Sequence, residues 1–111
     1  MQNWFVRAQR FQIRMGLRYR ILGESEWREG RTENVSRSGV LFRCAEPLEP
    51  GTSLEMRLMP RELISAEVAV DILCRGRIIR LETPPTDGDY RVAAGIADYE
   101  FLREGTPAEP E

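Results

Sequence analysis

The chain has 111 residues, of which 41% are hydrophobic and 31% are charged, and its formal net charge is −2. This length suits one domain, and the composition excludes intrinsic disorder. The sequence contains no histidine, and all 16 of its basic residues are arginines. Histidine-dependent nucleophiles, Schiff-base lysines and lysine-containing phosphate loops are therefore excluded, and we predict that the protein is not an enzyme.

Alternation of apolar and polar residues predicts six short strands. The first spans residues 11–21, where the apolar side chains from Phe11 to Ile21 share one face and arginines share the other. The second spans residues 27–35 and is expected to carry Glu, Arg and Thr on its polar face. The remaining strands are predicted at residues 40–44, 54–58, 68–81 and 90–96.

Turn-forming residues separate the predicted strands. The turns are predicted at residues 22–25, 34–39, 46–51 and 83–88. The last of these contains two adjacent prolines, which favour a loop.

Three later features bear on the fold. Gly76, inside the fifth strand, predicts a bulge or a close approach of two backbones. Residues 61–67 are ambiguous, and a helical turn is one interpretation. Residues 98–104 form either a short helix or an extension of the sixth strand.

The predicted strands are joined without helices of crossover length, which argues against a parallel sheet. We therefore predict an all-β antiparallel barrel or sandwich. Its interior is expected to contain the apolar residues with period-two spacing in the last four strands. These are Val40, Phe42, Leu54, Met56, Ile72, Ile78, Val92 and Ile96.

The cellular location is inferred from the absence of targeting features. No apolar run approaches the roughly 20 residues that a membrane span needs, and the start of the chain lacks a secretory signal pattern. We expect a cytoplasmic protein without membrane insertion. Cys44 and Cys74 lie in apolar runs, which predicts buried free thiols and not a disulfide or a metal site.

The charges are divided unevenly along the chain. Residues 1–43 hold nine Arg and four Glu, a net charge of +5, whereas residues 44–111 hold seven Arg and 14 acids, a net charge of −7. Nucleic-acid-binding domains are usually basic overall. A basic N-terminal part on an acidic body suits a small anionic ligand better.

Two segments carry groups that bind such a ligand. The turn Asn34-Val35-Ser36-Arg37-Ser38-Gly39, called here the Asn34–Gly39 turn, offers an amide, hydroxyls and backbone N–H groups. The N-terminal segment contains Arg7, Arg10 and Arg14, and arginine forks fit phosphates and guanine edges. The alternative for the turn is a plain Asx/Ser turn with glycine at positive φ. The alternative for the arginines is that they are only solvated side chains on the outer face of the barrel.

Together these segments resemble the PilZ domain, a bacterial receptor for cyclic di-GMP with the motifs Arg-x-x-x-Arg and Asp/Asn-x-Ser-x-x-Gly. The resemblance covers nearly the whole chain, including the stretch WREGRTENVSRSGVLFR. It implies a six-stranded antiparallel PilZ-type β-barrel that binds its ligand on the outer face. We expect one domain over residues 1–104, with residues 1–10 as a flexible N-terminal arm and residues 105–111 as a disordered tail.

The resemblance also implies which residues bind the ligand. Asn34, Ser36 and Gly39 match the second motif residue for residue. Arg10 and Arg14 match the first motif by spacing. In relatives the second arginine of the motif usually lies just before the first strand. Alignment by the predicted strand therefore assigns Arg10 to the second arginine and leaves Arg7 one residue away from the position of the first. Arg10 belongs to the site in both alignments.

We therefore expect a cyclic di-GMP receptor that needs no cofactor or metal and that acts on a downstream effector protein. The alternative is a degenerate PilZ adaptor that binds a protein partner without nucleotide. A small barrel that binds single-stranded DNA or RNA is disfavoured by the acidic balance and by the lack of aromatic residues on the predicted polar faces.

Overall fold

The computed structural model describes residues 12–60 and 70–103. These residues form six strands and contain no α-helix. The strands are β1 (Gly16–Ile21), β2 (Arg28–Val35), β3 (Gly39–Cys44), β4 (Ser53–Met59), β5 (Val70–Thr86) and β6 (Asp89–Arg103). The predicted arm, tail and helical turn at residues 61–67 lie outside the described residues.

The strands close into an antiparallel barrel in the order β1-β2-β3-β6-β5-β4, as predicted. Strand β1 completes the barrel because it pairs with β2 on one side and with β4 on the other. Strands β3 and β4 are not neighbours in the sheet, so the connection between them crosses from one side of the barrel to the other. Leu48 lies in this connection, and its buried side chain belongs to the core.

The core consists of the apolar residues that alternate along the strands. Of the eight residues predicted to fill it, Ile72 and Ile96 are only partly buried and pack against its edge. The other six are at most 3% exposed. They are Val40, Phe42, Leu54, Met56, Ile78 and Val92.

The first strand is shorter than the alternation predicts. It begins at Gly16, although the alternating burial already holds from Ile13 through Met15. Phe11, the predicted start, lies outside the described residues. The alternation therefore identifies the face that points to the core, but the strand begins only where a paired neighbour is present on both sides.

Gly76 meets the expectation of a close backbone approach. The ladder between β5 and β6 changes register between Arg75 and Gly76. A Cβ atom on Gly76 would lie 1.8 Å from the carbonyl oxygen of Gly95. Any side chain at this position would force β5 and β6 apart, so the sequence needs glycine there.

The hairpin predicted at residues 83–88 is present, but its turn is shorter than predicted. Strand β5 continues to Thr86, and the turn consists of Asp87 and Gly88 alone, both with positive φ. This geometry is that of a two-residue Asp-Gly hairpin. The two prolines remain compatible with a strand because the ladder is irregular between Glu82 and Thr86, so no paired N–H is required of them.

The short C-terminal helix is also wrong, and the alternative of an extended sixth strand is confirmed. Residues 98–103 continue β6 in register with β5. Arg75 of β5 binds Asp98 at 2.8 Å and Glu100 at 3.3 Å across the strands. These cross-strand ion pairs need the period-two spacing of a strand, which a helix would not provide. No helix of the described residues is long and apolar enough to cross a membrane.

Both cysteines are buried and free, as predicted. Burial raises the pKa of the Cys74 thiol to about 12 and also raises the pKa of the Cys44 thiol. Because the thiolate is the reactive form, neither cysteine should react with a thiol-specific chromogenic reagent at pH 8 in the folded protein. Both should react after denaturation in urea. Rapid release of one equivalent of the reagent's chromophore from the folded protein would contradict the burial of one of the thiols.

Candidate ligand-binding site

A β-bulge in β2 determines which side of the barrel Asn34 faces. Thr32 pairs with Phe42, and Asn34 pairs with Leu41, so Glu33 is the extra residue. Leu41 lies between two buried residues of β3 and therefore points outward. The bulge thus places Asn34 on the outer surface, whereas regular alternation after the inward-facing Thr32 would turn it towards the core.

The Asn34–Gly39 turn is held by its own serines. The backbone N–H of Ser36 donates to the carbonyl of Gly39 at 2.9 Å, and the Ser36 hydroxyl accepts from the N–H of Ser38 at 3.3 Å. The carbonyl of Ser38 accepts from the N–H of Ile96 at 2.8 Å. The turn is therefore attached to β6 and presents a defined set of polar groups.

Gly39 is not in the left-handed region, unlike Gly23, Gly51 and Gly88, so the positive φ expected of it in a plain turn is wrong. Its role is a close approach, since a Cβ atom there would lie 3.0 Å from the carbonyl oxygen of Ala94. Glycine lets β3 begin tightly against β6, and that contact fixes the end of the turn.

Arg14 lies just ahead of β1, which begins at Gly16. Its neighbours Ile13 and Met15 pack on the core while Arg14 is exposed, so its guanidinium points outward. The side chain lines a surface groove of about 580 Å³. Three further arginines line the same groove: Arg18, Arg31 and Arg43.

The backbone around Arg14 is attached to β2 beside the bulge. Thr32, expected on the polar face, is instead 1% exposed. Its hydroxyl accepts from the N–H of Met15 at 3.0 Å and donates to the carbonyl of Ile13. The Thr32 N–H also donates to the carbonyl of Met15 at 3.0 Å. The segment that carries Arg14 therefore runs along β2, where Asn34 follows two residues after Thr32.

Strand pairing aligns a row of arginines across the outer face. Arg31 pairs with Arg43, and Arg43 pairs with Arg91, on β2, β3 and β6. Glu33, the bulged residue, contacts Arg91 Nε at 2.9 Å and Arg43 Nε at 3.4 Å. Its carboxylate lies between the two guanidinium groups and partly neutralises them. This contact also anchors the bulge on two neighbouring strands.

The predicted site residues are thus only partly described. The turn is shorter than predicted, since Asn34 lies in β2, Gly39 begins β3 and Ser36 lies between the two strands. Arg14 lies on the neighbouring segment, but the groove lining includes none of these three residues. Arg7 and Arg10 lie outside the described residues. Sequence reasoning missed Thr32, Glu33, Arg43 and Arg91. Only the strand register brings these four together, since they come from three strands and carry no motif of their own.

Substitution of Glu33 by Ala should lower the free energy of unfolding by about 1–3 kcal/mol, because Arg43 Nε is buried and loses its nearest anion. The measurement is urea denaturation. The matched control is Glu26→Ala, which removes a carboxylate that is 72% exposed and 3.6 Å from Arg28, with an expected change within about 0.5 kcal/mol. Equal effects of the two substitutions would contradict the anchoring role of Glu33.

The chain is therefore in the class of small closed six-stranded β-barrels, with outward arginines and an amide- and hydroxyl-bearing turn whose groups suit an anion. The described residues contain no group of three or more side chains that would hold a metal ion.

The comparisons with known proteins agree with this class. The PilZ domain family model matches residues 5–99, and the chain belongs to this family of cyclic di-GMP receptor domains. The fold is similar to that of the Bacillus subtilis inhibitor of motility MotI/DgrA, with a TM-score of 0.65 and 16% identity over 80% of this chain. The chain spans only 41% of that protein's length. No curated protein matches the sequence.

Proposed function

We propose that this protein is a cytoplasmic receptor for cyclic di-GMP. The ligand is bound by Arg10 and Arg14, with Arg7 as the third candidate, and by Asn34, Ser36 and Gly39 of the turn. The observation that carries the proposal is the position of Arg14, which is exposed, precedes β1 and belongs to the segment attached to β2 beside Asn34. Its position supports the alignment by spacing, because the second arginine of the family motif lies just before the first strand.

The chemistry of binding follows from the groups available. Guanidinium groups donate paired hydrogen bonds to phosphate oxygens and to the N7 and O6 atoms of guanine. The Asn34 amide and the Ser36 hydroxyl orient the nucleotide. The N-terminal arm becomes ordered around the ligand, which gives an effector protein a surface that the free protein lacks. No cofactor or metal takes part.

The decisive experiment is a calorimetric titration of the purified protein with cyclic di-GMP. Saturable binding is expected, and an equal concentration of GMP should bind much more weakly because it cannot present two guanines and two phosphates together. Absence of heat and of any thermal stabilisation at millimolar cyclic di-GMP would refute the receptor function.

An adaptor that binds a protein without nucleotide is the second candidate. It is favoured by Tyr99 and Phe101 on β6, which are 50% and 65% exposed and stack edge to face at 5.8 Å. Aromatic residues are enriched at the centres of protein interfaces. The similarity in fold to an inhibitor of motility is consistent with this function. A failed nucleotide titration, together with a partner whose binding is lost in Phe101→Ala, would favour the adaptor.

A further inference from the structure

We infer that Thr32 is a positioning residue that holds the arginine-bearing segment against β2 and thereby sets the distance between Arg14 and the Asn34–Gly39 turn. The inference rests on the proposed function for its effect on ligand binding. Its structural basis, the hydrogen bonds between Thr32 and the backbone of Ile13 and Met15, is independent of any ligand.

The geometry around the Thr32 hydroxyl is that of a two-sided clamp. The oxygen accepts from the N–H of Met15 at 3.0 Å and donates to the carbonyl of Ile13. These two groups flank Arg14 on either side. One buried hydroxyl therefore fixes the backbone both before and after the arginine, and leaves only the Arg14 side chain free to move.

The clamp adds two hydrogen bonds to the restraints on this segment, whose side chains Ile13 and Met15 also pack on the core. Regular pairing between β1 and β2 ends at Gly16 and Arg31. One backbone hydrogen bond continues it, from the N–H of Thr32 to the carbonyl of Met15 at 3.0 Å. The hydroxyl supplies the other two bonds. A valine at position 32 has the same shape and keeps the backbone bond, but it removes both side-chain bonds.

The two hydrogen bonds explain why a buried side chain at this position carries a hydroxyl. Thr32 is 1% exposed and pairs with Phe42, which is fully buried. A buried hydroxyl is costly unless it is hydrogen-bonded, and nothing about the barrel core requires a polar group at this position. The hydroxyl is accounted for by its two bonds to the segment that carries Arg14, and Arg14 in turn lines the arginine groove.

The test compares Thr32→Val, which removes the hydroxyl, with Thr32→Ser, which keeps it. Ile78→Val is the control for stability, since Ile78 is a buried residue of β5, a strand that does not pair with β1 or β2. Two quantities are measured well below the melting temperature of every variant. They are the hydrogen-exchange rate of the Met15 amide and the affinity for cyclic di-GMP.

We expect Thr32→Val to bind cyclic di-GMP about tenfold more weakly. The loss corresponds to the net free energy of roughly one hydrogen bond, which would no longer hold Arg14 in the position that binds the ligand. Its Met15 amide should exchange at least about tenfold faster. Thr32→Ser should match the parent in both measurements. Ile78→Val should lower the melting temperature without changing either one.

Unchanged affinity and exchange in Thr32→Val would overturn the inference. An equal loss of affinity in Ile78→Val would overturn it too, because the effect would then be one of general stability. If the parent protein itself fails to bind cyclic di-GMP, the proposed function fails, and Met15 exchange alone decides whether Thr32 holds the segment.

Discussion

Truncation of Phe42 to Ala is expected to lower the free energy of unfolding by about 3–5 kcal/mol. Phe42 is fully buried in β3, and the centre of its ring lies 5.7 Å from the centre of the Tyr19 ring on β1. The cavity would lie at the centre of a small closed barrel, where the strands on all sides are fixed by pairing and cannot collapse into it. Urea denaturation followed by tryptophan fluorescence measures the loss.

The matched control is Phe101→Ala, the same change on a side chain that is 65% exposed. Its cost should stay below about 1 kcal/mol, because an exposed residue leaves no cavity. A small effect of Phe42→Ala, or similar effects at the two positions, would contradict the assignment of β3 to the core.

Replacement of Arg10 or Arg14 by Ala is expected to weaken binding of cyclic di-GMP by about 2–5 kcal/mol, a loss of at least about 30-fold in affinity. The fold should be unaffected by Arg14→Ala, because no ion pair joins Arg14 to an acidic residue of the described part of the chain. Calorimetry gives the affinity, and thermal melting shows that each variant remains folded.

Arg7→Ala separates the two alignments of the arginine motif. A smaller loss in Arg7→Ala than in Arg14→Ala is expected, because Arg14 has the position that the family motif requires. Arg77→Ala is the control for net charge, since Arg77 is exposed on β5, a strand that does not pair with β1, β2 or β3. Parent-like binding in both Arg7→Ala and Arg14→Ala would mean that the arginine motif is not functional and would favour the adaptor.

The charge distribution on the outer face bears on the class of ligand. Several arginines are neutralised within the fold: Arg91 by Glu33 and Glu82, and Arg75 by Asp98 and Glu100. Arg14 and three other arginines line a groove of about 580 Å³, whose lining also includes Glu29, Glu33 and Asp89. A groove of this volume is within the range of small-molecule sites.

The sequence by itself determined the all-β class, the six strands, most of the core and the Asn34–Gly39 turn. Each depends on local information, because side chains alternate with period two along a strand and turns have their own residue preferences. Gly76 was interpretable for the same reason, since a glycine inside an apolar strand has few structural roles. The family followed from the placement of two short motifs relative to these elements.

Only the tertiary structure decided which side of the barrel Thr32 and Asn34 face and how the sixth strand ends. Thr32 faces the core, although the sequence placed it on the polar face of β2. The bulge at Glu33 then turns Asn34 to the surface, whereas regular alternation after Thr32 would turn it inward. One alternative at residues 98–104 was a helix, but residues 98–103 form a strand that pairs with β5, where Arg75 contacts Asp98 and Glu100. Both outcomes depend on register, which is set by contacts between residues far apart in the chain and not by local preference.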